Sequence, residues 1–591
     1  MAHIISGAAG SGKTTALYSL LKTDKGNKIL LVPDQFVFES ERRVADELGE
    51  KTSDITVTGF MSLSEQILKK YCPRKTYADN TAKLAIMSRA IKSLSQSFSF
   101  YGSAARKPGF VSVCLSGVDT LKNAGISPQR MYDLISADDT ASSAPTHFTD
   151  KMHDIALFYS LYDKMLTELY DDRQDNLLLA ARAIEENDCF PENTRVYIDG
   201  FDSFSGAQKE FLRAMADKGV DFTVAVCTDD SGAEIFSECD KTKALFENKY
   251  AMDCGKPQKT EYTKLGNSAV RYKNDTLRVL RDFLQGEKAE KPADSHGITL
   301  AYSNNMSGEA DFVCANIRKL VRYEGYRYSD IAVICAAPTK YRDAVRSAAL
   351  RYEVPMFVDL PEPVSEKPLL RYLDCLLCAA EDPRGINIIR YIRSGFARIP
   401  SDKKEGKTVP LTLRDQHITE EYANRWDLKN RRWDRPFPHI TDDTERTVEN
   451  IRDKTVTPLI QFEKSVRNAG GKELVKRFAE FLFDKADISA AIQGKCQDNS
   501  PRQLRYVKEL TEEYNNLWRS VSDMLTSLYE TLDDTPMTIG ELAALIRTCS
   551  AQINLSRPPK VLDSVLFGDP ARTRSRDVRA VFVMGAADRA F

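Results

Sequence analysis

The amino-acid sequence predicts an α/β fold with two parallel β-sheets, each interrupted by a mainly helical insertion. Three observations support this prediction. Apolar strands alternate with amphipathic helices over residues 1–74, and the same alternation returns over residues 296–360. Each of these stretches is followed by a long block with helical periodicity. At 591 residues, of which 42% are hydrophobic, the chain is expected to form several domains with separate cores.

The first strand leads into a glycine-rich turn and a helix. Residues 3–21, HIISGAAGSGKTTALYSLL, fit the phosphate-binding pattern G-x-x-x-x-G-K-[ST] through Gly7, Gly12, Lys13 and Thr14. We expect Lys13 to reach the β/γ-phosphates of a nucleotide and the Thr14 hydroxyl to bind Mg²⁺, with a chance glycine-rich turn as the alternative. The predicted nucleotide-binding residues are Gly7, Ala8, Ala9, Gly10, Ser11, Gly12, Lys13, Thr14 and Thr15.

The rest of the first α/β pattern follows in order. KILLVP at 28–33 and DITVT at 54–58 are predicted strands, each followed by a helix. The strand signal then disappears, and it resumes with TRVYID, which ends in Asp199, and with DFTVAVCT. The predicted boundaries are 1–74 and 191–285 for the first α/β domain and 75–190 for its helical insertion.

A second α/β pattern follows a charged, proline-containing linker at residues 286–296. Its predicted strands are GITLAYS, DIAVICA and VPMFVD, and two more, DSVLFG and VRAVFVMG, follow a long helical block. The predicted boundaries are 296–360 and 556–591 for this second domain, incomplete at its C-terminal end, and 361–555 for its helical insertion.

Composition excludes several classes of protein. Lys and Arg total 83 against 85 Asp and Glu, so a nucleic-acid surface must be a local charge asymmetry. No apolar run approaches the ~18 residues of a membrane span, and the N-terminus lacks a signal-peptide pattern, so we expect a cytoplasmic protein without membrane contact. The twelve cysteines lack paired spacing, and Cys375 and Cys378 are interpreted as core residues of a helix.

ATP hydrolysis requires residues beyond the loop. Asp199, at a strand end, is expected to contact Mg²⁺ through water, with a turn cap as the alternative. Gly200 occupies the position where motor ATPases carry a glutamate, and a glycine cannot act as a base; Asp202 lies two positions further on. After the strand DIAVIC, Ala336 stands where a motor ATPase has an arginine. Arg342 is interpreted as a solvated helix charge, with a remnant of that arginine as the alternative.

The order and spacing of these motifs resemble the superfamily 1 helicase core of the UvrD type. Within that group, VPDQFVFESE, VYIDGFDSFS, EGYRYSDIAVICAAPTKYRDAV and EEYANRWDLKNRRW resemble the AddB subunit of AddAB helicase-nucleases, over residues 1–591. The resemblance implies two RecA-like parallel-sheet P-loop domains, with ATP and Mg²⁺ as cofactors. It also implies an AddA-like motor/nuclease subunit as partner in a heterodimer, and double-stranded DNA ends and single-stranded DNA as substrates.

In that family the AddB subunit ends in a nuclease domain that carries four cysteines on an iron–sulfur cluster. No position of this sequence matches the nuclease carboxylates, the nuclease lysine or the cluster cysteines. We therefore expect the nuclease domain and the iron–sulfur cluster to lie outside this chain.

One segment has the local charge asymmetry that DNA contact requires. Residues 384–435 hold 13 Lys and Arg against 7 Asp and Glu. The candidate DNA-binding residues are Arg390, Arg393, Arg431 and Arg432 of this segment, which also contains Trp426 and Trp433, together with Phe60 and Phe204 after strands of the first domain. The alternatives are a solvated charged face, core tryptophans and core phenylalanines.

These observations predict a nucleotide-binding subunit with little or no hydrolysis, whose degenerate helicase core follows a DNA strand. Two alternatives stay open. The first is an active superfamily 1 translocase that uses Asp202 in place of the glutamate. The second is a structural DNA clamp in which the nucleotide only stiffens the first domain.

Overall fold

The computed structural model of this chain is an α/β structure with two parallel sheets, which confirms the predicted fold class. It describes residues 2–49, 54–107, 109–139, 146–247, 260–265, 274–286, 296–358, 360, 362–401, 407–496, 504–555, 563–570 and 578–586.

Six strands of the described residues form the first sheet. They are β1 (Ala2–Gly7), β2 (Lys28–Leu31), β3 (Ile55–Thr58), β4 (Arg195–Ile198), β5 (Asp221–Cys227) and β6 (Thr260–Lys264). Their order across the sheet is β3-β2-β4-β5-β1-β6, and every pairing is parallel. The carboxyl ends of all six strands therefore meet at one edge, and β5 separates the strand before the glycine-rich loop from the strand that ends at Asp199.

Helices cover both faces of this sheet. In chain order, the helices of the first half are α1 (Lys13–Thr23), α2 (Val37–Leu48), α3 (Phe60–Tyr71), α4 (Asn80–Leu94), α5 (Phe110–Asn123), α6 (Pro128–Asp139), α7 (Thr146–Leu169), α8 (Asn176–Glu186), α9 (Gly206–Asp217), α10 (Ser237–Glu247) and α11 (Asp275–Leu284). Ile5 and Leu30 belong to a core with α1 and α2, whereas Ile4 and Leu31 belong to a second core with α3, α8 and α9. Consecutive residues of β1 and β2 are apolar at these positions because alternate side chains enter different cores.

The second sheet has four parallel strands among the described residues. The strands of this half are β7 (Ile331–Cys335), β8 (Met356–Val358), β9 (Glu362–Pro363), β10 (Arg398–Pro400), β11 (Thr408–Pro410), β12 (Asn554–Leu555), β13 (Val565–Gly568) and β14 (Ala580–Met584). The order in the sheet is β14-β7-β13-β8, and β9–β12 form two short antiparallel pairs elsewhere. Almost the whole second helical block is thus inserted between neighbouring strands β8 and β13.

The two helical blocks share one hydrophobic core. The helices of the second half are α12 (Met306–Tyr323), α13 (Pro338–Arg351), α14 (Pro368–Glu381), α15 (Gly385–Arg393), α16 (Leu413–Arg425), α17 (Asp443–Val466), α18 (Gly471–Asp484), α19 (Ile488–Cys496), α20 (Leu504–Thr531) and α21 (Ile539–Gln552). Of these, α12 and α13 flank the second sheet. Buried residues of α4–α7 and of α14–α21 form a single contiguous cluster. The insertions are distant in sequence, but they pack as one helical body.

Polar contacts tie α4 to the second block. Arg89 forms an ion pair with Asp533, and Lys92 Nζ lies 2.7 Å from Glu541 Oε1. The Asp79 carboxylate, which caps the N-terminus of α4, also accepts a hydrogen bond of 2.8 Å from Ser527 Oγ on α20.

Two predictions about the region between the sheets have different outcomes. The predicted strand GITLAYS is wrong: residues 298–302 have no regular secondary structure, and Leu300 and Tyr302 are 79% and 92% exposed. Its alternating apolar residues favour a strand, but a strand also needs a neighbour to pair with, and no strand of the described residues pairs with this segment. Most of the predicted linker, residues 287–295, lies outside the described residues. None of the helices in the described ranges is long and apolar enough to cross a bilayer.

Candidate nucleotide-binding site and basic groove

The glycine-rich loop lies between the carboxyl end of β1 and the first turn of α1. Gly10 and Gly12 have φ of 79° and 92°, the left-handed region that glycine adopts without steric cost. Gly7 meets a different constraint, because a Cβ atom there would lie 2.5 Å from Ser11 Oγ. The loop closes on itself through a 3.2 Å hydrogen bond from Ser11 N to Ala8 O. The predicted glycines are therefore those that this turn requires.

Lys13 places a positive charge at the loop. Its Nζ donates hydrogen bonds of 2.8 Å to the carbonyl oxygens of Gly7 and Ala8. Both partners are neutral, and the ion pairs of the described residues do not include Lys13. Together with the N-terminal end of α1, the ammonium group creates a positive potential that suits a phosphate.

Thr14 and Asp199 lie together at the carboxyl edge of the first sheet. Thr14 Oγ1 donates a hydrogen bond of 3.3 Å to Asp199 Oδ1, and Asp199 is 8% exposed. The Asp199 backbone N–H donates to Leu31 O at 3.2 Å, which fixes this residue at the sheet edge. A hydroxyl and a carboxylate are oxygen ligands of the type that Mg²⁺ prefers, so these residues fit a magnesium ion bound with a nucleotide.

The position after Asp199 has a backbone that disfavours a glutamate. Gly200 has a φ of 86°, where an L-residue is strained. Asp202, the other carboxylate considered for catalysis, contacts α10: its Oδ1 accepts a hydrogen bond of 3.8 Å from Cys239 Sγ, and its carbonyl accepts one of 2.7 Å from Thr242. Burial raises the pKa of Cys239 to about 12, so this thiol is an uncharged donor at neutral pH.

Sequence reasoning missed a polar group beside the loop. Thr228 follows β5 and forms a β-bridge with Gly7. The next residue, Asp229, accepts from Ser231 N at 2.8 Å through Oδ1, whereas Oδ2 is buried without a hydrogen-bond partner among the described residues. Asp230 is bound by Lys243 and Lys264, and these hydrogen bonds hold its pKa below the usual value. The sequence signal that could have identified this polar group is the triplet TDD, which directly follows β5, an apolar strand that neighbours β1.

The second domain corrects the interpretation of Arg342. Its side chain is 13% exposed, so it is not a solvated helix charge. Nε and Nη1 are buried without hydrogen-bond partners among the described residues, and Glu366 Oε2 lies 3.9 Å from Nη2. Ala336 and Ala337 line a separate cavity of about 410 Å³ at the ends of β7 and β13, together with Asp569.

Three of the four candidate DNA-binding aromatics occupy cores in this structure. Phe60 and Phe204 are 2% and 6% exposed, and their ring centroids lie 5.9 Å apart in an edge-to-face contact. Trp433 is 1% exposed and donates from Nε1 to Leu428 O at 3.0 Å, whereas the half-exposed Trp426 stacks on His439. These placements match the core alternative for three of the four rings.

The candidate arginines fall into two groups. Arg431 and Arg432 lie on the surface, and Arg432 Nε is 3.2 Å from Asp434 Oδ2. Arg390 and Arg393 instead line a groove of about 540 Å³ between α14 and α15. Arg371 and Lys429 extend the basic lining of this groove, and the sequence alone did not single out either residue.

The fold and the loop define a class: a P-loop protein with tandem parallel sheets of the helicase type. Residues 4–279 match the family model described as "ADDB, N-terminal". This match supports the resemblance to the AddB family that the motifs show.

Three similar curated proteins are named as the B subunit of an ATP-dependent helicase/deoxyribonuclease. Those of Clostridium botulinum (strain Loch Maree / Type A3), Bacillus mycoides (strain KBAB4) and Bacillus anthracis are each 24% identical to this chain, over 100%, 99% and 99% of its length. The matched regions cover 52% of each relative, so the chain spans about half the length of the proteins that it resembles.

Proposed function

We propose that this chain is a nucleotide-binding, hydrolysis-poor part of an ATP-dependent helicase-nuclease that processes double-stranded DNA ends for recombinational repair. Its degenerate helicase core follows or scans a DNA strand. The observation that carries the proposal is the pairing of Thr14 and Asp199 at a complete phosphate-binding loop, next to a Gly200 whose φ of 86° disfavours any carboxylate-bearing residue.

The geometry of the site supports nucleotide binding more than nucleotide hydrolysis. Lys13, Thr14 and the loop N–H groups are the residues that would hold the phosphates of ATP, and Thr14 and Asp199 would hold Mg²⁺, which neutralises phosphate charge when bound. Orientation of an attacking water needs a further acceptor, and the position after Asp199 has no side chain. Asp202 supports the translocase alternative poorly, because its described side-chain contact is with Cys239 on α10.

The partners follow from the family. The relatives are named as B subunits, so we propose an AddA-like motor/nuclease subunit as partner in a heterodimer in the cytoplasm, with DNA ends and single-stranded DNA as substrates. No residue of this chain is proposed as a ligand of an iron–sulfur cluster.

The test compares nucleotide binding with nucleotide turnover in the purified chain. We expect ATP with Mg²⁺ to bind with a measurable heat and to raise the melting temperature, while DNA-stimulated turnover stays far below motor rates of ~10 per second. Lys13→Ala should abolish the ATP-induced shift. Turnover at motor rates that Lys13→Ala removes would overturn the proposal in favour of the translocase.

The helical body favours the DNA clamp as a second candidate. A single core that joins both insertions makes a rigid body of the kind that can hold DNA without nucleotide-driven motion. The clamp predicts that Lys13→Ala leaves DNA affinity unchanged with and without ATP, whereas a nucleotide-responsive subunit predicts that ATP changes the DNA affinity of the unsubstituted chain only.

A further inference from the structure

The groove between α14 and α15 is built from one face of each helix. Pro368, Arg371 and Cys375 follow each other at helical spacing on α14, and Ile386, Ile389, Arg390 and Arg393 do so on α15. The opposite faces of both helices are buried in the shared helical core. Two walls of the groove are therefore fixed surfaces of helices.

Helices α14 and α15 form two walls of the groove, and the 428–431 segment forms the third. Backbone hydrogen bonds anchor this segment to α15. Ile386 N donates to Lys429 O at 2.7 Å, and Gly385 N donates to Arg431 O at 2.9 Å. Gly385 is required here, because a Cβ atom would lie 2.5 Å from Leu428 O. These contacts hold the 428–431 segment against the first turn of α15 and place Lys429 in the lining.

The positive charge of the groove is largely uncompensated. Arg393 is paired with Glu420, whose Oε2 lies 3.1 Å from Nη1. Arg371, Arg390 and Lys429 form no ion pair with any described residue. Some arginines of the same segment outside the groove are compensated: Arg432, for example, is paired with Asp434.

The position of Arg371 strengthens the case for an anion. It lies in the first turn of α14, where the helix dipole is already positive and where acidic residues are normally favoured. Glu420 is the carboxylate of the lining and is paired with Arg393, so the other three cations that converge on this concave surface repel each other in the free protein. A bound anion removes this repulsion and forms charge-assisted hydrogen bonds with the guanidinium groups.

The size and floor of the groove narrow the class of anion. Its volume of about 540 Å³ is within the range of small-molecule sites and exceeds the space that one phosphate needs. Ile386 and Pro368 offer an exposed apolar surface beside the cations, whereas Ile389, also in the lining, is 8% exposed and belongs to the helical core. Cations next to an apolar surface match a nucleotide unit, whose phosphate is charged and whose base is planar and largely apolar on its faces.

We propose that this groove docks one phosphodiester-linked nucleotide of single-stranded DNA, with the phosphate on Arg371, Arg390 and Lys429 and the base against Ile386 and Pro368. The proposal rests on the proposed function, since it assumes that the chain binds a DNA strand, and it names the residues that would make that contact.

The test measures binding of a fluorescein-labelled oligo(dT) strand to the full chain over a range of salt concentrations. Arg371→Gln and Arg390→Gln should each weaken binding about tenfold, and each should lower the slope of log affinity against log salt by about 0.7. Arg414→Gln is the matched control, because this exposed arginine of α16 lies outside the groove lining and its substitution removes the same charge. It should leave the slope unchanged. Thermal unfolding checks that all three variants are folded.

The possible results of this experiment test different parts of the proposal. Failure of the unsubstituted chain to bind the strand contradicts the DNA part of the proposed function. Strand binding with an unchanged slope in both groove variants overturns the groove alone. Binding of dTMP that both groove substitutions weaken, together with strand binding that neither substitution changes, would identify a free-nucleotide site and would overturn strand docking. Photo-crosslinks from 5-iodouracil strands should map to α14 and α15, and crosslinks only to other helices would contradict the assignment.

Discussion

Thr14 Oγ1 donates a hydrogen bond to Asp199 Oδ1 across 3.3 Å, although 185 positions separate the two residues in the chain. The contact exists because β1 and β4 end at the same edge of a parallel sheet, with only β5 between them. A Mg²⁺ ion that accompanies a nucleotide would find both oxygen ligands already placed, so little reorganisation is required at binding.

Asp199→Asn should separate metal-dependent from metal-independent nucleotide binding. The amide keeps the shape of the side chain and an acceptor for Thr14, but it removes the charge that favours Mg²⁺. We expect the tightening of ATP binding by Mg²⁺ to fall about tenfold, or about 1.4 kcal/mol, while binding in EDTA is little changed. Titration of a fluorescent ATP analogue in Mg²⁺ and in EDTA measures both. The control is Asp221→Asn, at the start of β5 on the opposite edge of the sheet. Equal losses in the two buffers would contradict a metal role.

Gly200→Glu should not restore hydrolysis. With a φ of 86°, any L-residue at this position costs about 1–2 kcal/mol, and the backbone must move before a new carboxylate can approach the loop. We expect a lower melting temperature and unchanged ATP turnover in the same preparation. Strong activation of turnover would mean that only the missing side chain limits hydrolysis.

The control for that substitution is Gly117→Ala in α5. Gly117 is an exposed helical glycine whose new Cβ would meet nothing within 4 Å. It should stabilise the chain by about 0.5–1 kcal/mol, because alanine has the higher helix propensity. Gly200→Glu should lower the denaturant midpoint and Gly117→Ala should raise it. The comparison isolates the cost of placing a side chain at a positive φ.

The sequence predicted those features that depend on local order. The loop at Gly7–Thr15 is a contiguous strand, turn and helix, and Asp199 could be placed because parallel strands share their carboxyl edge. The first six-stranded sheet was largely foreseen for the same reason, although β6 was not. The predicted strand GITLAYS is wrong because a strand needs a second strand to pair with. The periodicity of one segment does not show whether such a partner is present.

Features that arise from packing between distant segments were not predictable. Arg342 has the sequence context of a surface helix, yet it is buried where α13 approaches Glu366. Arg371 and Lys429 are 58 positions apart, and they line one groove only because the 428–431 segment pairs with the start of α15. Helical periodicity identifies apolar faces, but it does not show that α4 packs against α20 and α21.

The contact between the helical blocks can be tested at Asp79. Its carboxylate accepts a hydrogen bond from Ala82 N at 2.7 Å as the cap of α4, and another from Ser527 Oγ at 2.8 Å. Asp79→Ala should cost about 1–3 kcal/mol, since it removes the cap and leaves a hydroxyl without its acceptor. Ser527→Ala removes only the contact between the blocks and should cost about 1 kcal/mol or less. Hydrogen exchange in urea should show α4 and α20 losing protection together in both variants; loss of protection in one of these helices before the other would contradict a single helical body.

Lys122 is the centre of a buried charge cluster in the first helical block. Its side chain is 1% exposed, and Nζ lies 2.6 Å from Asp175, 3.1 Å from Asp163 and 3.1 Å from Asp172. Burial opposes the charge of Lys122, but the three carboxylates outweigh it and raise its pKa. Burial alone would raise the pKa of Asp172, but the positive charges of Lys122 and Lys83 outweigh burial and hold this pKa below the usual 3.8. Burial dominates at Asp175, whose pKa is raised.

Lys122→Met should therefore destabilise the chain in a pH-dependent way. In the unsubstituted chain, the contribution of Asp172 is present above pH 3.8 and is lost as the pH falls through its lowered pKa. Without Lys122 the buried carboxylates gain raised folded-state pKa values, so their protonation offsets part of the loss at low pH, and the deficit grows as the pH rises. We expect a cost of about 3–5 kcal/mol at pH 7 and a smaller one near pH 5, measured by denaturant unfolding. Lys164→Met, at an exposed position of α7, should change the free energy of unfolding by less than about 0.5 kcal/mol at either pH. A deficit for Lys122→Met that does not vary with pH would show that the lysine acts through its packing and not through its charge.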